Sequence, residues 1–307
     1  MKKAIVTGAN GFLGKYLVQE LVENEYCVWA VVRDKEKNID NFEGNPKIHI
    51  VYCDLNNISN LSSFIEADSF DCFYHLAWSG SSGIAREDYK LQLHNAESCV
   101  DAALIASFLK CRRFIGIGSV TELMCREYLH QDGSKPEMAT CYAIGKMAAE
   151  YMTRCVCTKQ NIEFIWTYLS NFYGIGDNSQ NFVNMLIKSY LHNETPDLTL
   201  GNQMADFMYV SDVAKALTII GKKGIANNTY YVGYGEPRPL KCFVKSIHAL
   251  VNPVIETGLG KKIFQGLEID FDLIDIKKIQ RDMNFIPNIP FEIGIEKTIK
   301  WIKEFII

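Results

Sequence analysis

The stretch Thr7-Gly8-Ala9-Asn10-Gly11-Phe12-Leu13-Gly14 follows the apolar run Ala4–Val6 and leads into the amphipathic segment Leu13–Val22. Its three glycines permit a tight turn, close approach of the backbone to a pyrophosphate, and close packing of a helix on a strand. The amides and partial positive charge at a helix start favour phosphate binding. At a first strand-to-helix junction the turn predicts a dinucleotide site. We assign it to Gly8, Asn10, Gly11, Phe12, Leu13 and Gly14; a turn that serves packing alone is the alternative.

Short apolar runs alternate with longer amphipathic segments on either side of this turn. Near-continuous apolar runs are typical of strands buried on both faces of a parallel sheet. The predicted strands are Ala4–Val6, Cys27–Val32, Ile48–Cys53, Cys72–Leu76, Phe114–Ile117 and Phe164–Leu169, and the predicted helices between them include Leu13–Val22, Tyr89–Leu109 and Ala139–Cys157. This alternation predicts an α/β fold with a Rossmann-type doubly wound parallel sheet.

Beyond about residue 170, loops rich in Gly, Asn and Pro interrupt the alternation. The runs Phe207–Val210 and Thr229–Val232 are expected to rejoin the sheet, and helices are expected near Leu240–Leu250, Asp275–Met283 and Phe291–Phe305. We therefore predict a dinucleotide-binding domain from residues 1–171 plus about 206–234. Residues of about 172–205 plus 235–307 would form a smaller, discontinuous C-terminal substrate-binding lobe over the cleft.

The composition excludes several classes of protein. The chain has 307 residues, of which 48% are hydrophobic, and a formal net charge of −4, as in a folded globular protein without the basic face of a nucleic-acid binder. Its ten cysteines lack Cys-x-x-Cys spacing, so we expect reduced thiols and no metal site. The longest apolar stretch, Ala102–Leu109, is far below the roughly 20 residues of a membrane span. A cytoplasmic protein without membrane partners is predicted.

The end of the second predicted strand indicates which dinucleotide is bound. NAD sites usually carry an Asp or Glu there, which holds the ribose hydroxyls. Here the strand ends in Val31-Val32-Arg33-Asp34, with Val32 and Arg33 at the positions of that carboxylate. Since a guanidinium suits a 2′-phosphate, Arg33 favours NADP, whereas ribose binding by Asp34 would favour NAD. Asp54, which closes the third strand, is a candidate acceptor for the adenine amino group; a plain helix N-cap is its alternative.

A candidate catalytic pair lies in Tyr142-Ala143-Ile144-Gly145-Lys146, at the start of a predicted helix. Residues four apart share a helix face. A tyrosine that exchanges a proton near pH 7 needs its pKa lowered by about 3 units, or about 4 kcal/mol. The Lys146 ammonium and a nicotinamide cation have the right sign of charge. An exposed tyrosine beside a solvated lysine is the alternative.

Hydroxyl groups at the end of the fifth strand strengthen this interpretation. Ser119 ends that strand, where its hydroxyl would enter the ligand cleft and hydrogen-bond a substrate carbonyl or alkoxide. Thr121 is a second hydroxyl in the same place. Ser119, Tyr142 and Lys146 together indicate hydride transfer at a carbinol or ketone, with Tyr142 as the acid/base. Lys146 would lower the pKa of Tyr142 and hold the nicotinamide ribose.

Nearly the whole chain resembles the extended short-chain dehydrogenase/reductases that act on nucleotide sugars. The motifs that carry the resemblance are Thr-Gly-x-x-Gly-x-x-Gly at 7–14, Asp54-Leu55, His75-Leu76-Ala77, Ser119, Tyr142-x-x-x-Lys146, Ser170-Asn171-Phe172-Tyr173-Gly174 and Asp206–Ala214. The resemblance implies that Leu55 and Ala77 lie beside the cofactor and that Asn95 supports the active-site helix. It also implies that Asn171 contacts the substrate and that the long helices at about 88–110 and 139–157 form a homodimer.

Two departures from this family bear on the reaction and the substrate. Its 4,6-dehydratases carry Asp-Glu directly after the catalytic Ser or Thr, where this chain has Val120-Thr121, so a dehydratase is not expected. Two arginines that commonly bind the substrate are replaced by Tyr168 and Ala205, which removes contacts worth about 1.5–3 kcal/mol each. Arg238 is the candidate that compensates; an ordinary surface arginine is the alternative.

Trp78 follows His75-Leu76-Ala77 and would wall the sugar pocket, although a purely structural tryptophan is equally consistent with its position. His75 itself is expected to be a buried structural residue.

These observations predict an NADP-dependent oxidoreductase, with NAD as the alternative cofactor. Its substrate would be a nucleotide sugar of (deoxy)hexose metabolism, on which it would act as a C4 ketoreductase or an epimerase. A carbonyl reductase acting on a non-nucleotide ketone would suit the missing arginines. A protein that binds NADP as a sensor or scaffold, without turnover, is the third hypothesis, although such a protein has no need of Ser119, Tyr142 and Lys146.

Overall fold

Seven parallel strands form the central sheet of the computed structural model, which describes residues 1–33, 39, 42–66, 68–128, 136–264 and 268–305. The strands are β1 (Lys2–Thr7), β2 (Tyr26–Val32), β3 (Ile48–Tyr52), β4 (Phe70–His75), β5 (Cys111–Ser119), β6 (Glu163–Leu169) and β10 (Thr229–Val232). Their order across the sheet is β10-β6-β5-β4-β1-β2-β3. From β1 the chain adds β2 and β3 on one side of the sheet and then crosses to add β4, β5 and β6 on the other side. In such a sheet a crevice opens at the carboxyl ends of the two strands where the order reverses, here β1 and β4.

Helices cover both faces of the sheet because its strands bury side chains on both sides. On one face, α1 (Phe12–Glu23) and α6 (Val210–Lys223) bury leucines and valines against the sheet, whereas α2 (Tyr89–Phe108) and α4 (Thr140–Lys159) bury alanines on the other. Small residues let α2 and α4 pack closely. The predicted doubly wound α/β fold is therefore confirmed, and the strands and helices of the first half lie within a few residues of their predicted positions.

The remaining segments form smaller elements at one end of the sheet. They are α3 (Thr121–Tyr128), β7 (Asn171–Tyr173), α5 (Phe182–Leu191), β8 (Met204–Ala205), β9 (Phe207–Tyr209), β11 (Arg238–Pro239), α7 (Leu240–Val251), α8 (Lys278–Met283) and α9 (Phe291–Phe305). The three helices predicted after residue 240 are confirmed, although the second is shorter than expected. The exact division of the chain into two domains stays a prediction.

One of the two late strands is placed differently from the prediction. Thr229–Val232 joins the central sheet beside β6, as expected, but Phe207–Tyr209 pairs with Asn171–Tyr173 in a separate two-stranded parallel sheet. The edge of β6 is already occupied by β10. The Phe207 ring packs instead on Phe243, at 4.8 Å between ring centroids, so aromatic packing holds β9 in the smaller layer.

Two further expectations concern what the chain lacks. Within the described residues, no helix is long and apolar enough to cross a membrane. No cluster of three or more His, Cys, Asp or Glu side chains in those same ranges is arranged to hold a metal ion. All ten cysteines are free thiols, and most are buried.

Candidate active site

The glycine-rich turn forms a cradle that only glycine can provide at two of its positions. Gly8 has a φ of +67°, and a side chain there would start 3.0 Å from the amide nitrogen of Ala77. A Cβ on Gly14 would lie 2.2 Å from the carbonyl oxygen of Gly8. No side chain caps the first amides of α1, which begins at Phe12. These residues fit a dinucleotide pyrophosphate, since they offer free backbone donors at a helix start and leave room for close approach.

Hydrogen bonds tie this turn to the end of β4. The amide of Ala77 donates to the hydroxyl of Thr7 at 3.2 Å, and that hydroxyl lies 3.0 Å from Nδ1 of His75. Burial, with the charge of Lys146, lowers the pKa of His75 to about 3, so the ring is neutral. His75 is therefore the structural residue that the sequence predicted. Ala77 lies directly against the cofactor cradle.

Arg33 and Asp54, the residues predicted to contact the adenosine part of a cofactor, follow the ends of β2 and β3. Arg33 is exposed and directly follows β2, whereas Asp34 lies outside the described residues. Asp54 caps the short 3-10 helix Leu55–Ser63 by accepting from the amide of Asn56 at 2.8 Å. This capping bond is the alternative role that the sequence left open. Contacts of Arg33, Asp54 and Leu55 with a cofactor remain predictions.

Ser119, Tyr142 and Lys146 meet at the carboxyl edge of the sheet, in a cavity of about 600 Å³ that the glycine-rich turn also lines. Ser119 ends β5, and its hydroxyl hydrogen-bonds the Tyr142 phenol from the first turns of α4. The Thr121 hydroxyl in turn donates to Ser119 Oγ at 3.0 Å. Burial raises the pKa of Tyr142 to about 12, while the Arg86 charge and the Ser119 hydrogen bond oppose the rise. The phenol is therefore protonated at neutral pH: its pKa is raised, whereas the sequence predicted that Lys146 would lower it.

Lys146 is buried one helical turn after Tyr142. Its Nζ donates to the carbonyl oxygen of Ile117 at 2.6 Å and lies 3.6 Å from the centre of the Trp78 ring. Burial lowers the pKa of Lys146 to about 8, against the opposing charge of Glu122. The ammonium is thus held rigidly in the cavity between a strand carbonyl and an aromatic face.

Glu122 is a residue that the sequence interpretation did not use. Its carboxylate is buried behind the active site, where it accepts from the Ser119 amide at 2.6 Å and from the Trp166 indole at 3.2 Å. Burial and nearby Glu150 raise its pKa to about 8. Glu122 is not among the described residues that line the cavity. In the sequence, the signal that pointed to a special role for Glu122 was its charge, since the other residues of Val120–Leu123 are apolar or carry a hydroxyl.

The loop after β4 supplies one wall of the cavity. Trp78 packs edge-on against Tyr142, with ring centroids 6.1 Å apart, and donates its indole hydrogen to Gln92 at 2.9 Å. Arg86, from the short 3-10 helix Gly83–Glu87, places its guanidinium carbon 4.2 Å from the centre of the Tyr142 ring. Sequence reasoning found Trp78 but missed Arg86, because nothing in the local pattern separates Arg86 from a surface arginine.

The substrate candidates are divided between the cavity and its surroundings. Trp78, Thr121 and Asn171 line it, together with the segment around Asp177–Phe182 that the sequence did not single out. Arg238 is not among the described lining residues; it stands opposite Ala205 in the β8–β11 pair, with its guanidinium carbon 4.6 Å from the Phe243 ring centre. A substrate contact by Arg238 stays a prediction.

Comparison with known proteins places this site in a family. The sequence profile described as the NAD dependent epimerase/dehydratase family matches residues 4–233. The chain belongs to that family. This confirms the predicted relation to the extended short-chain dehydrogenase/reductases that act on nucleotide sugars.

Two curated relatives align along nearly the whole chain. CDP-abequose synthase of Salmonella typhimurium is 27% identical over 305 residues, which cover 96% of this chain and 97% of that protein. The dTDP-glucose 4,6-dehydratase of Neisseria meningitidis is 24% identical, with 98% and 93% covered. Because the relatives include dehydratases, family membership by itself does not exclude that reaction.

Solved structures confirm the fold. The Bordetella bronchiseptica enzyme WbmF in complex with NADH has a TM-score of 0.80 at 18% identity, covering 99% of this chain and 92% of that one. UDP-glucuronic acid 4-epimerase from Bacillus cereus, in complex with UDP-glucuronic acid and NAD, has a TM-score of 0.77 at 21% identity, with 98% and 99% covered. At this identity the likeness establishes architecture alone.

Proposed function

We propose that this protein transfers hydride at C4 of a nucleotide-activated (deoxy)hexose, as a ketoreductase or an epimerase. One observation carries the proposal. The Tyr142 phenol, hydrogen-bonded by Ser119 and followed one turn later by Lys146, opens into the same cavity as the glycine-rich turn. An acid/base and a dinucleotide cradle in one cavity are what hydride transfer to or from a carbinol carbon requires.

The side chains divide the work of the reaction. A nicotinamide dinucleotide, when bound, supplies or accepts the hydride. In reduction, Tyr142 gives its proton to the substrate oxygen, and its pKa of about 12 keeps that proton available at neutral pH. Ser119 hydrogen-bonds the same oxygen and orients it. Lys146, which donates to the Ile117 carbonyl, would hold the nicotinamide ribose.

The residues after Ser119 favour reduction or epimerisation over dehydration. Elimination of water needs a carboxylic acid and a carboxylate at the sugar, whereas Val120 and Thr121 occupy those positions. Glu122 does not replace them, because its carboxylate is committed to the Ser119 amide and the Trp166 indole.

We propose a nucleoside diphosphate sugar as substrate, and the likeness to CDP-abequose synthase makes CDP-sugars the first class to test. The diphosphate would be held differently from the family's usual arrangement. Tyr168 is buried and donates to Glu150 at 2.9 Å, so it does not reach a ligand. Arg238, directly opposite Ala205, is within one strand spacing of the second missing arginine, and its Nε is buried without a hydrogen-bond partner among the described residues.

The missing arginines also favour a second candidate, a carbonyl reductase that acts on a ketone without a nucleotide. Turnover of ketones without a nucleotide, and of no nucleotide sugar, would favour this second candidate, whereas replacement of Arg238 tests the proposed diphosphate contact. If Arg238 binds a diphosphate, Arg238→Ala raises KM for a nucleotide sugar by about 10- to 100-fold, because a charge-assisted contact is worth about 1.5–3 kcal/mol. An unchanged KM would exclude Arg238 from diphosphate binding.

We propose NADP(H) as the preferred cofactor on the strength of Arg33, which is exposed at the end of β2 where a 2′-phosphate would lie. The structural neighbours with bound cofactor contain NAD or NADH, so NAD(H) is the alternative. Arg33→Ala is expected to weaken NADPH binding by about 10- to 100-fold and to leave NADH binding unchanged, as measured by fluorescence titration. A wild-type protein that binds NADH more tightly than NADPH would contradict the proposed preference for NADP(H).

We also propose a cytoplasmic homodimer that packs through α2 and α4. Large apolar side chains are exposed on both helices, among them Leu93 and Phe108 on α2 and Tyr151 and Met152 on α4. A second copy would cover this surface. Ten free thiols suit a reducing compartment. Light scattering of Leu93→Lys should show a monomer; a monomeric wild-type protein would contradict the dimer.

The central experiment supplies NADPH and NADH with a panel of CDP-, UDP- and dTDP-activated 4-keto sugars and follows loss of cofactor absorbance. Tyr142→Phe should reduce kcat about 100- to 10,000-fold, the usual contribution of a general acid. Tyr151→Phe removes a phenol from the same helix outside the cavity and keeps the aromatic ring at the proposed dimer surface, so it is the matched control and should retain activity. Turnover that survives Tyr142→Phe would exclude the proposed acid. Cofactor binding with neither reduction of a ketone nor interconversion of C4-epimeric nucleotide sugars would favour a sensor or scaffold.

A further inference from the structure

We propose that Arg86 is the electrostatic partner of Tyr142, whose fixed positive charge stabilises the phenolate left when Tyr142 has given its proton to the substrate. This inference deepens the proposed function and rests on it for the role of Tyr142 as the acid. It adds a residue outside the Ser119, Tyr142 and Lys146 set.

The position of the guanidinium is the first support. Its central carbon lies 4.2 Å from the centre of the Tyr142 ring, within the distance at which a cation is attracted to an aromatic face. Its Nε is buried and has no hydrogen-bond partner among the described residues, and no described carboxylate forms an ion pair with Arg86. Among the described residues, the guanidinium charge therefore faces the Tyr142 ring without a carboxylate partner.

The loop that carries Arg86 is built to hold it there. Gln92, almost fully buried on α2, donates through Nε2 to the carbonyl oxygens of Gly80 at 3.0 Å and Ala85 at 2.9 Å. Asn95, also buried, donates to the Ser79 carbonyl at 2.7 Å and accepts from the Ser79 amide at 3.0 Å. Two amide side chains thus anchor both ends of the loop on a long helix, which fixes the approach of Arg86 to the ring.

The other groups around Tyr142 leave this role open. Ser119 contributes one neutral hydrogen bond, while Glu122, from α3 behind the site, opposes phenolate formation. Lys146, on the same helix as Tyr142, directs its ammonium to the Ile117 carbonyl and the Trp78 ring. Burial raises the pKa of Tyr142, and the Arg86 guanidinium is the largest influence in the opposite direction. We assign binding of the nicotinamide ribose to Lys146 and stabilisation of the Tyr142 phenolate to Arg86.

The test measures the phenol directly, without substrate. Tyr142 is replaced by 3,5-difluorotyrosine, whose phenol is more acidic than that of tyrosine. The absorbance of its phenolate is then titrated against pH in three proteins, which carry the native Arg86, Arg86→Lys or Arg86→Gln. A cation held 4.2 Å from the ring centre stabilises the phenolate more than the neutral phenol, so the midpoint should rise by about one pH unit in Arg86→Gln. Arg86→Lys should shift it less. Arg112→Gln, which removes an exposed arginine at the far end of β5, is the matched control and should not move it.

An unchanged midpoint in Arg86→Gln overturns the proposal. Turnover adds a second readout: kcat should fall about tenfold in Arg86→Gln, with KM changed less than twofold. A large rise in KM with an unchanged midpoint would instead assign Arg86 to an anionic group of the substrate, which also overturns the proposal. A shifted midpoint in a protein that reduces no nucleotide sugar would uphold the Arg86–Tyr142 interaction and contradict only the proposed substrate.

Discussion

Replacement of Glu122 by glutamine should change how the stability of this protein depends on pH. Burial raises the pKa of the Glu122 carboxyl to about 8, against 4.5 for an unperturbed group. Between these values the unfolded chain has lost the proton while the folded chain keeps it. The folded state then binds more protons, so the free energy of unfolding falls as the pH rises.

The magnitude follows from the size of the shift. Each pKa unit corresponds to about 1.4 kcal/mol, so the window from about pH 4.5 to 8 contains at most roughly 5 kcal/mol of lost stability. Lys146, whose pKa burial lowers to about 8, acts in the opposite direction above that value, because there the unfolded chain binds the extra proton. The wild-type protein should therefore be least stable near pH 8.

Urea denaturation at about one-unit steps from pH 5 to 8 tests this. Glu122→Gln cannot ionise, so its free energy of unfolding should lack the decline of the wild-type protein. It should also carry a constant cost of about 1–3 kcal/mol, because glutamine offers one acceptor oxygen to two donors, the Ser119 amide and the Trp166 indole.

Glu163→Gln is the matched control. Burial raises the pKa of Glu163, but the hydrogen bonds and charges of Arg113 and Arg112 together outweigh it and lower that pKa. The stability that Glu163 contributes is therefore fully present above about pH 5, and Glu163→Gln should lose the same amount at every pH of the window. Wild-type and Glu122→Gln curves that run parallel across the window would refute the reasoning.

Two other substitutions test how the site is built. Gly14→Ala places a methyl group 2.2 Å from the Gly8 carbonyl oxygen. It should lower the free energy of unfolding by about 1–3 kcal/mol and abolish dinucleotide binding, as followed by thermal unfolding and fluorescence titration. Retained dinucleotide affinity would contradict the role of the glycine-rich turn in cofactor binding. Gln92→Ala removes the side chain that holds the Trp78–Arg86 loop on α2. In urea denaturation the free energy of unfolding should fall by about 1–3 kcal/mol, and kcat should fall while cofactor affinity changes little. An unchanged kcat would show that the loop holds its position without Gln92.

Much of the fold could be predicted from local patterns. Buried parallel strands require apolar side chains on both faces, and β1, β2, β4, β5 and β6 show this in sequence. Phe207–Tyr209 looked like another such strand, but its pairing partner depended on which sheet edge was free, and β10 already occupied β6. Pairing between distant segments is a property of the assembled sheet and leaves no local signal.

The candidate site divides in the same way. Ser119, Tyr142 and Lys146 were found because a strand end and one helical turn fix where their side chains point. Arg86 and Glu122 were missed because their roles depend on contacts across the fold. Arg86 faces Tyr142 only when Gln92 and Asn95 hold its loop, and Glu122 is turned inward by the Trp166 indole on a neighbouring strand.

The sequence by itself determined the glycine-rich turn, the parallel α/β sheet and the proposed catalytic side chains, since each depends on backbone conformation within a few residues. The tertiary structure decided which charges surround the phenol of Tyr142. It buried Glu122 behind Ser119 and placed Arg86 over the Tyr142 ring. Electrostatic effects act through space and grow with burial, so side chains distant in sequence govern the chemistry only after the chain has folded.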